Sequence, residues 1–309
     1  MSSNNLNISS YQNATGTIEF SLTSDIMLHY VMQQSKRALK GLVCSLKGID
    51  PSMVKDILVQ NPIDLNALQK ETVMDLKLLL NNGEILNIEL QMYTDKYWIL
   101  RSILYLCRAF DSLKEGEDYS HLMPTTHFCI TNQELFPDNP EFYAHFLLMN
   151  TKNHIPYTKN FALNVLQLNH TDLATDEDIN NNVVYWAKLF NATTWEEFKA
   201  LAKGNDAIEE VGDLMYTINA DDQTREILEG QRRYREQSAS QYTAGFTDAE
   251  EQLMPIIEED KVIMANQNAT IANQEAIIAD KDATIADQDI ALANLNLLLQ
   301  KYKDKYGEI

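Results

Sequence analysis

Apolar residues along this chain follow two different periods, and the switch between them marks out its parts. From Ser24 and Asp25, a good cap pair, Ile26, Leu28, Val31, Leu39, Leu42, Val43 and Leu46 recur at helical spacing and predict one or two helices. The stretch "ETVMDLKLLLNNGEILNIELQM", residues 71–92, then alternates on either side of Asn81-Asn82-Gly83 and predicts a β-hairpin. "DKYWILRSILYLCRAFDSLKEG" returns to helical spacing and ends at Gly116; "HLMPTTHFCIT", "EFYAHFLLMN" and "NFALNVLQL" read as further strands. From Asp176 the pattern is helical throughout. Strands mixed with helices first and helices only later imply an α/β core with a helical addition.

The last segment has a period of its own. Met264, Ile271, Ile278, Ile285, Leu292 and Leu299 form one column at seven-residue spacing, as in a coiled coil. The positions three further on are Gln267, Gln274, Lys281 and Gln288 before Leu295, so only half an apolar seam exists. The expected organisation is a flexible N-terminus over 1–22, a core over 23–171, a helical addition over 172–250 and a heptad-repeat stalk over 251–309 that joins copies of the chain into a homo-oligomer.

Composition changes this picture little, and charge only in its distribution. The net charge is −20, divided as −4 over residues 1–171, −8 over 172–246 and −8 over 247–309. The half containing the hairpin is nearly balanced, so the acidic total argues against strong nonspecific binding to nucleic acid without excluding a DNA substrate. Cys44, Cys107 and Cys129 lack paired spacing and read as ordinary core residues. No charged-then-apolar leader precedes the first helix and no apolar run reaches membrane-spanning length; the expectation is a soluble, cytoplasmic protein with no membrane partner.

The hairpin carries the candidate chemistry. If Asn81-Asn82-Gly83 is a three-residue loop with Gly83 in its left-handed position, paired residues sum to 164. Asp75 then lies opposite Glu89, Lys77 opposite Asn87 and Val73 opposite Gln91, all on one face, while Met74, Leu76, Leu78, Leu86, Ile88, Leu90 and Met92 form a core face. A two-residue loop would separate Asp75 from Glu89. Two carboxylates across a rung repel, and a divalent cation is one natural compensation, since Mg²⁺ takes one or two carboxylates and keeps waters. The other is a polar face turned to solvent with Lys77 neutralising its neighbours.

The series Asp75, Glu89, Gln91, Arg101, Tyr105, continued by "LKEGEDYSHLMPTTHFCIT", "WAKLF", "TTWEEFKALAKGNDAIEEVGDLMYTINADDQTRE" and "RRYREQS", resembles the recombination-promoting nuclease/putative transposase family, a branch of the PD-(D/E)XK nucleases. The resemblance implies a restriction-endonuclease-like α/β core and a metal-dependent DNA endonuclease, with Mg²⁺ as cofactor and Mn²⁺ as the alternative. Carried over, Asp75 and Glu89 are the metal ligands, with the main-chain carbonyl of Leu90 as a third. Gln91 stands where the lysine of the motif would be and has no charge with which to activate a water. Lys77 is then the candidate for a relocated catalytic cation, and Arg101 the candidate for holding phosphate. The family's N-terminal helix carries an Asp followed by a Phe-Lys pair, whereas "SDIMLHY" keeps only Asp25.

Other residues carry plainer expectations. His121 and His127 read as surface or core histidines; Tyr93, Tyr97 and Trp98 as packing residues; Arg232, Arg233 and Arg235, with Glu229 and Glu236 alongside, as a solvated helix face. The competing function is a catalytically inactive nuclease-fold scaffold that recruits partners through its stalk.

Overall fold

A computed structural model describes residues 10–65, 75–93 and 95–307. Six strands form one mixed sheet in the order β1-β2-β3-β4-β6-β5. These are β1 (Ile57–Val59), β2 (Leu76–Leu80), β3 (Ile85–Gln91), β4 (Thr125–Thr131), β5 (Tyr143–Leu147) and β6 (Phe161–Gln167). The first three make an antiparallel meander, β3, β4 and β6 run parallel, and β5 closes one edge antiparallel to β6.

Helices cover both faces of this sheet. On one side α3 (Trp98–Phe110), the crossover between parallel β3 and β4, packs on β3, β4 and β6. On the other, α1 (Asp25–Gln34) and α2 (Lys36–Lys47) join α5 (Val183–Asn191), α6 (Trp195–Ala202) and α7 (Asp206–Ala220) around one large apolar cluster. The apolar run from Asp25 is therefore two helices: the chain breaks at Ser35, whose hydroxyl accepts from the Ala38 amide and caps α2. The short α4 (Asp176–Asn180) and α6 each begin with a reciprocal capping box, Thr175 with Asp178 and Thr194 with Glu197.

The hairpin has the expected register. Leu76 faces Ile88, Lys77 faces Asn87 and Leu78 faces Leu86, and the Leu80 amide bonds the Glu84 carbonyl across the loop. Gly83 takes φ +84°, the left-handed value that a side chain would strain. Leu76, Leu78, Leu86, Ile88 and Leu90 are buried in the main cluster; Val73 and Met74, also assigned places in the hairpin, lie outside the described residues.

Two boundaries differ from the sequence expectation. Within the lead-in expected to be flexible, residues 10–22 are docked. Tyr11, Ile18, Phe20 and Leu22 are buried, the Ile18 amide bonds the Thr193 carbonyl at 2.8 Å, and the Phe20 amide bonds Asn219 Oδ1 at 2.9 Å. Its partners lie 175 and 199 positions away, before α6 and in α7, so no local period announces it. The helical addition shares the core's packing: Trp186, Phe190, Phe198, Val211 and Met215 belong to the same cluster as Leu78 and Ile88.

The chain divides into two compact units, Met1–Ala239 and Ser240–Ile309. The second is formed by the rest of α8 (Asp222–Tyr306), in which Pro255 interrupts the amide series. Met264, Ile271, Ile278, Ile285, Leu292 and Leu299 are all more than half exposed on it.

Candidate active site

The β3 side of the hairpin's polar face lies under α3 and is closed from solvent, while Lys77 on β2 stays exposed. Asn87 and Glu89 are buried, Glu89 to 4 % exposure, and Asp75 and Gln91 are partly buried. The polar face turned to solvent is thus not what the fold provides; both sides of β3 are covered, as befits a strand next to a parallel neighbour. Leu90, between Glu89 and Gln91, turns its side chain into the opposite core and leaves only its main chain to serve this face.

Arg101, one turn into α3, is the cation that meets Glu89. Its Nη2 donates to Glu89 Oε1 at 2.8 Å and to Gln91 Oε1, and its Nη1 donates to Asp95 Oδ2 at 2.6 Å. The guanidinium also lies over the Tyr105 ring, 5.9 Å from its centroid. Gln91 is held at both ends, because its Nε2 donates to the Tyr93 carbonyl. Lys77 faces Asn87 in the register, with an exposed side chain. Its charge is the weakest of the influences acting on Asp75.

Strand β4 brings a residue that sequence reasoning left among ordinary histidines. Parallel pairing sets Asn87 beside His127 and Glu89 beside Cys129. His127 is fully buried; its Nδ1 lies 2.9 Å from Asn87 Nδ2, and its Nε2 lies 3.3 Å from Glu89 Oε2 without hydrogen-bond geometry. The only local signal was the alternation of His127 and Cys129 within "THFC"; which strand they would meet was not encoded nearby. His121, by contrast, is exposed as expected.

Asp75 joins through Asn87, whose Nδ2 lies 3.4 Å from Asp75 Oδ2. Burial pushes the Asp75 carboxyl above the ordinary aspartate range, the Glu89 charge pushes it further, and the Asn87 amide pulls it back. Among the described residues, Glu89, His127 and Cys129 offer ligand atoms within 4.8 Å of one another. Burial first, then the Glu89 and Asp75 charges, hold the Cys129 thiol well above its usual range, and Trp98, Ala144 and Val165 pack against it. A divalent cation fits Glu89, whose Oε2 is buried without a hydrogen-bond partner; Asp75, the second carboxylate, which burial disfavours as an anion, stands outside that group of donors.

The remaining candidates lie elsewhere. Asp25 pairs with Arg235 and ties α1 to α8, Arg232 and Arg233 pair with Glu229, and Trp98, the first residue of α3, is buried as a packing residue, while Tyr97 is exposed.

A mixed sheet with a carboxylate pair at its centre and a crossover helix supplying the cation has the architecture of a nuclease-like α/β domain. The family described as PD-(D/E)XK nuclease family transposase matches residues 30–244. The chain belongs to that family, and its core is accordingly PD-(D/E)XK-like. Membership carries a nuclease-like function, DNA as the implied substrate and the general use of divalent metals by PD-(D/E)XK nucleases. No curated protein and no solved structure matches the chain. No helix among the described residues is long and apolar enough to cross a membrane.

Proposed function

We propose that this protein is a metal-dependent DNA endonuclease that hydrolyses backbone phosphodiester bonds, with Asp75, Glu89 and the Leu90 carbonyl as ligands of Mg²⁺ or Mn²⁺. The observation that supports this most directly is the carboxylate pair, Glu89 buried and Asp75 partly so: Glu89 Oε2 makes no hydrogen bond, and burial opposes the ionisation of Asp75. A fold that gathers two such groups accepts a cost in stability that a bound cation offsets. When bound, the metal would lower the pKa of a water and stabilise charge building on the phosphate.

The chain's own groups divide the remaining work. Arg101 bonds Glu89 and Gln91 through its guanidinium and would hold a phosphate oxygen of the DNA. Gln91 orients rather than activates, since it cannot take a proton. Lys77, exposed on the β2 side of the same face, draws in the DNA backbone as a point charge. We place the activity in DNA mobility, recombination or defence against foreign DNA, hence in the cytoplasm where such DNA lies. The exposed column from Met264 to Leu299 would assemble copies of the chain through the second unit.

An inactive scaffold is the second reading, favoured by the neutral Gln91 and by Arg101 already engaging Glu89. Plasmid DNA incubated with the full-length protein separates the two. Nicking that requires Mg²⁺ or Mn²⁺, stops with a chelator and is lost in Asp75→Ala and Glu89→Ala supports the enzyme. Metal binding without nicking by the parental protein supports the scaffold.

A further inference from the structure

We infer that His127 supplies a nitrogen ligand to this metal site and makes it select Mn²⁺ over Mg²⁺. The inference rests on the nuclease reading for the presence of a metal, and goes beyond it in naming a ligand from a different strand and the cation it favours.

A histidine that merely fills a core has both ring nitrogens satisfied, because a buried polar atom without a partner is costly. His127 has one nitrogen tied down and one not: Nδ1 meets the Asn87 amide, while Nε2 is buried, makes no hydrogen bond and faces Glu89 Oε2, which makes none either. The 3.3 Å between those two atoms is close to what a shared cation would impose. Neighbouring ligands at right angles, each bonded at about 2.2 Å, stand about 3.1 Å apart. Tyr105 on α3 presents its ring edge to the imidazole, 6.4 Å between centroids, and limits how far the ring can turn away.

A ligating Nε2 needs its lone pair, so the imidazole proton must reside on Nδ1 and be accepted there. Asn87 has the means. In the arrangement described, its Nδ2 serves both Asp75 and His127 while its Oδ1 is buried with no partner. Turning the amide over places Oδ1 against Nδ1–H and gives up the 3.4 Å contact of Nδ2 with Asp75 Oδ2, leaving that carboxylate oxygen to the cation. Asn87 is thus a positioning residue that sets the tautomer. Selectivity follows from ligand chemistry: Mg²⁺ is held by oxygen and keeps its waters, whereas a nitrogen ligand favours the first-row transition metals, among which Mn²⁺ gains least but still more than Mg²⁺.

The test uses full-length protein, with metal alone as the probe. Titration calorimetry should give Mn²⁺ binding at least about tenfold tighter than Mg²⁺, and His127→Gln should weaken Mn²⁺ by about tenfold or more while leaving Mg²⁺ within about twofold. An unchanged Mn²⁺-to-Mg²⁺ ratio in a folded His127→Gln protein overturns the inference. Should that variant not fold, pulsed electron paramagnetic resonance on the Mn²⁺-loaded parental protein decides: hyperfine coupling to a histidine nitrogen supports the ligand, and its absence overturns it. Cleavage of plasmid DNA with no nitrogen at the metal would sink the inference and spare the nuclease reading. A nitrogen-bound metal with no cleavage would do the reverse.

Discussion

Replacing Arg101 by methionine tests the electrostatic logic of the site without invoking catalysis. Methionine keeps much of the apolar stem that packs by Tyr105, so what is removed is the guanidinium and its bonds to Glu89, Gln91 and Asp95. Removing one partner of a buried ion pair costs about 3–5 kcal/mol, because the other charge is left unpaired. Here the Glu89 side chain is 6 % exposed but that of Arg101 is 30 % exposed. Water can therefore enter the vacated space, and the expected loss falls to about 2 kcal/mol. For a unit of this size that corresponds to a fall in Tm of about 4–8 °C. Urea unfolding followed by tryptophan fluorescence, with a chelator present, measures it, since Trp98, Trp186 and Trp195 all lie in the first unit. Glu89→Gln in the same background should restore most of the loss, because a neutral amide no longer needs the cation. A Arg101→Met protein within about 0.5 kcal/mol of the parent, with effects that simply add in the double variant, would show that Arg101 does not neutralise Glu89.

Three further outcomes follow from particular contacts. With a chelator present, Asp75→Asn should raise stability at pH 7–8 by about 1 kcal/mol and make no difference below about pH 4. The native state favours protonated Asp75, so the stability it contributes is present at acid pH and is lost as pH rises through its raised native value; a substitution that is neutral at every pH is the control. Gly212→Ala should cost about 1–3 kcal/mol in thermal unfolding, since a Cβ there would lie 2.8 Å from Tyr11 Cδ2 and 2.9 Å from Phe198 Cε1. An unchanged Tm would mean that the N-terminal segment does not pack on α7. Finally, Ile271→Gln, Ile278→Gln and Ile285→Gln together should lower the subunit number seen by light scattering while metal-dependent nicking persists; equal masses would show that the column does not assemble the protein.

What the sequence determined by itself was whatever depends on short-range geometry. The hairpin register needed only a left-handed glycine and a period of two, so the shared face of Asp75, Lys77, Asn87 and Glu89 could be read before any fold was known. The helical crossover carrying Arg101 was legible from its period. The tertiary structure alone decided how those groups are used. Burial of Asn87 and Glu89 arises because α3 lies over a face whose own alternation reads as solvent-exposed. Arg101, rather than Lys77, reaches Glu89 because a crossover helix returns over the strand it follows, whereas Lys77 sits on β2, beside the strands that α3 covers. His127 joins the site through parallel pairing of β3 with β4, forty positions apart in the chain at Asn87 and His127. Residues 10–22 dock on α7 through the Asn219 side chain and beside α6 through backbone hydrogen bonds, and no local pattern announces either. Periodicity tells which side of an element a residue occupies; what that side meets is fixed only when distant segments pack.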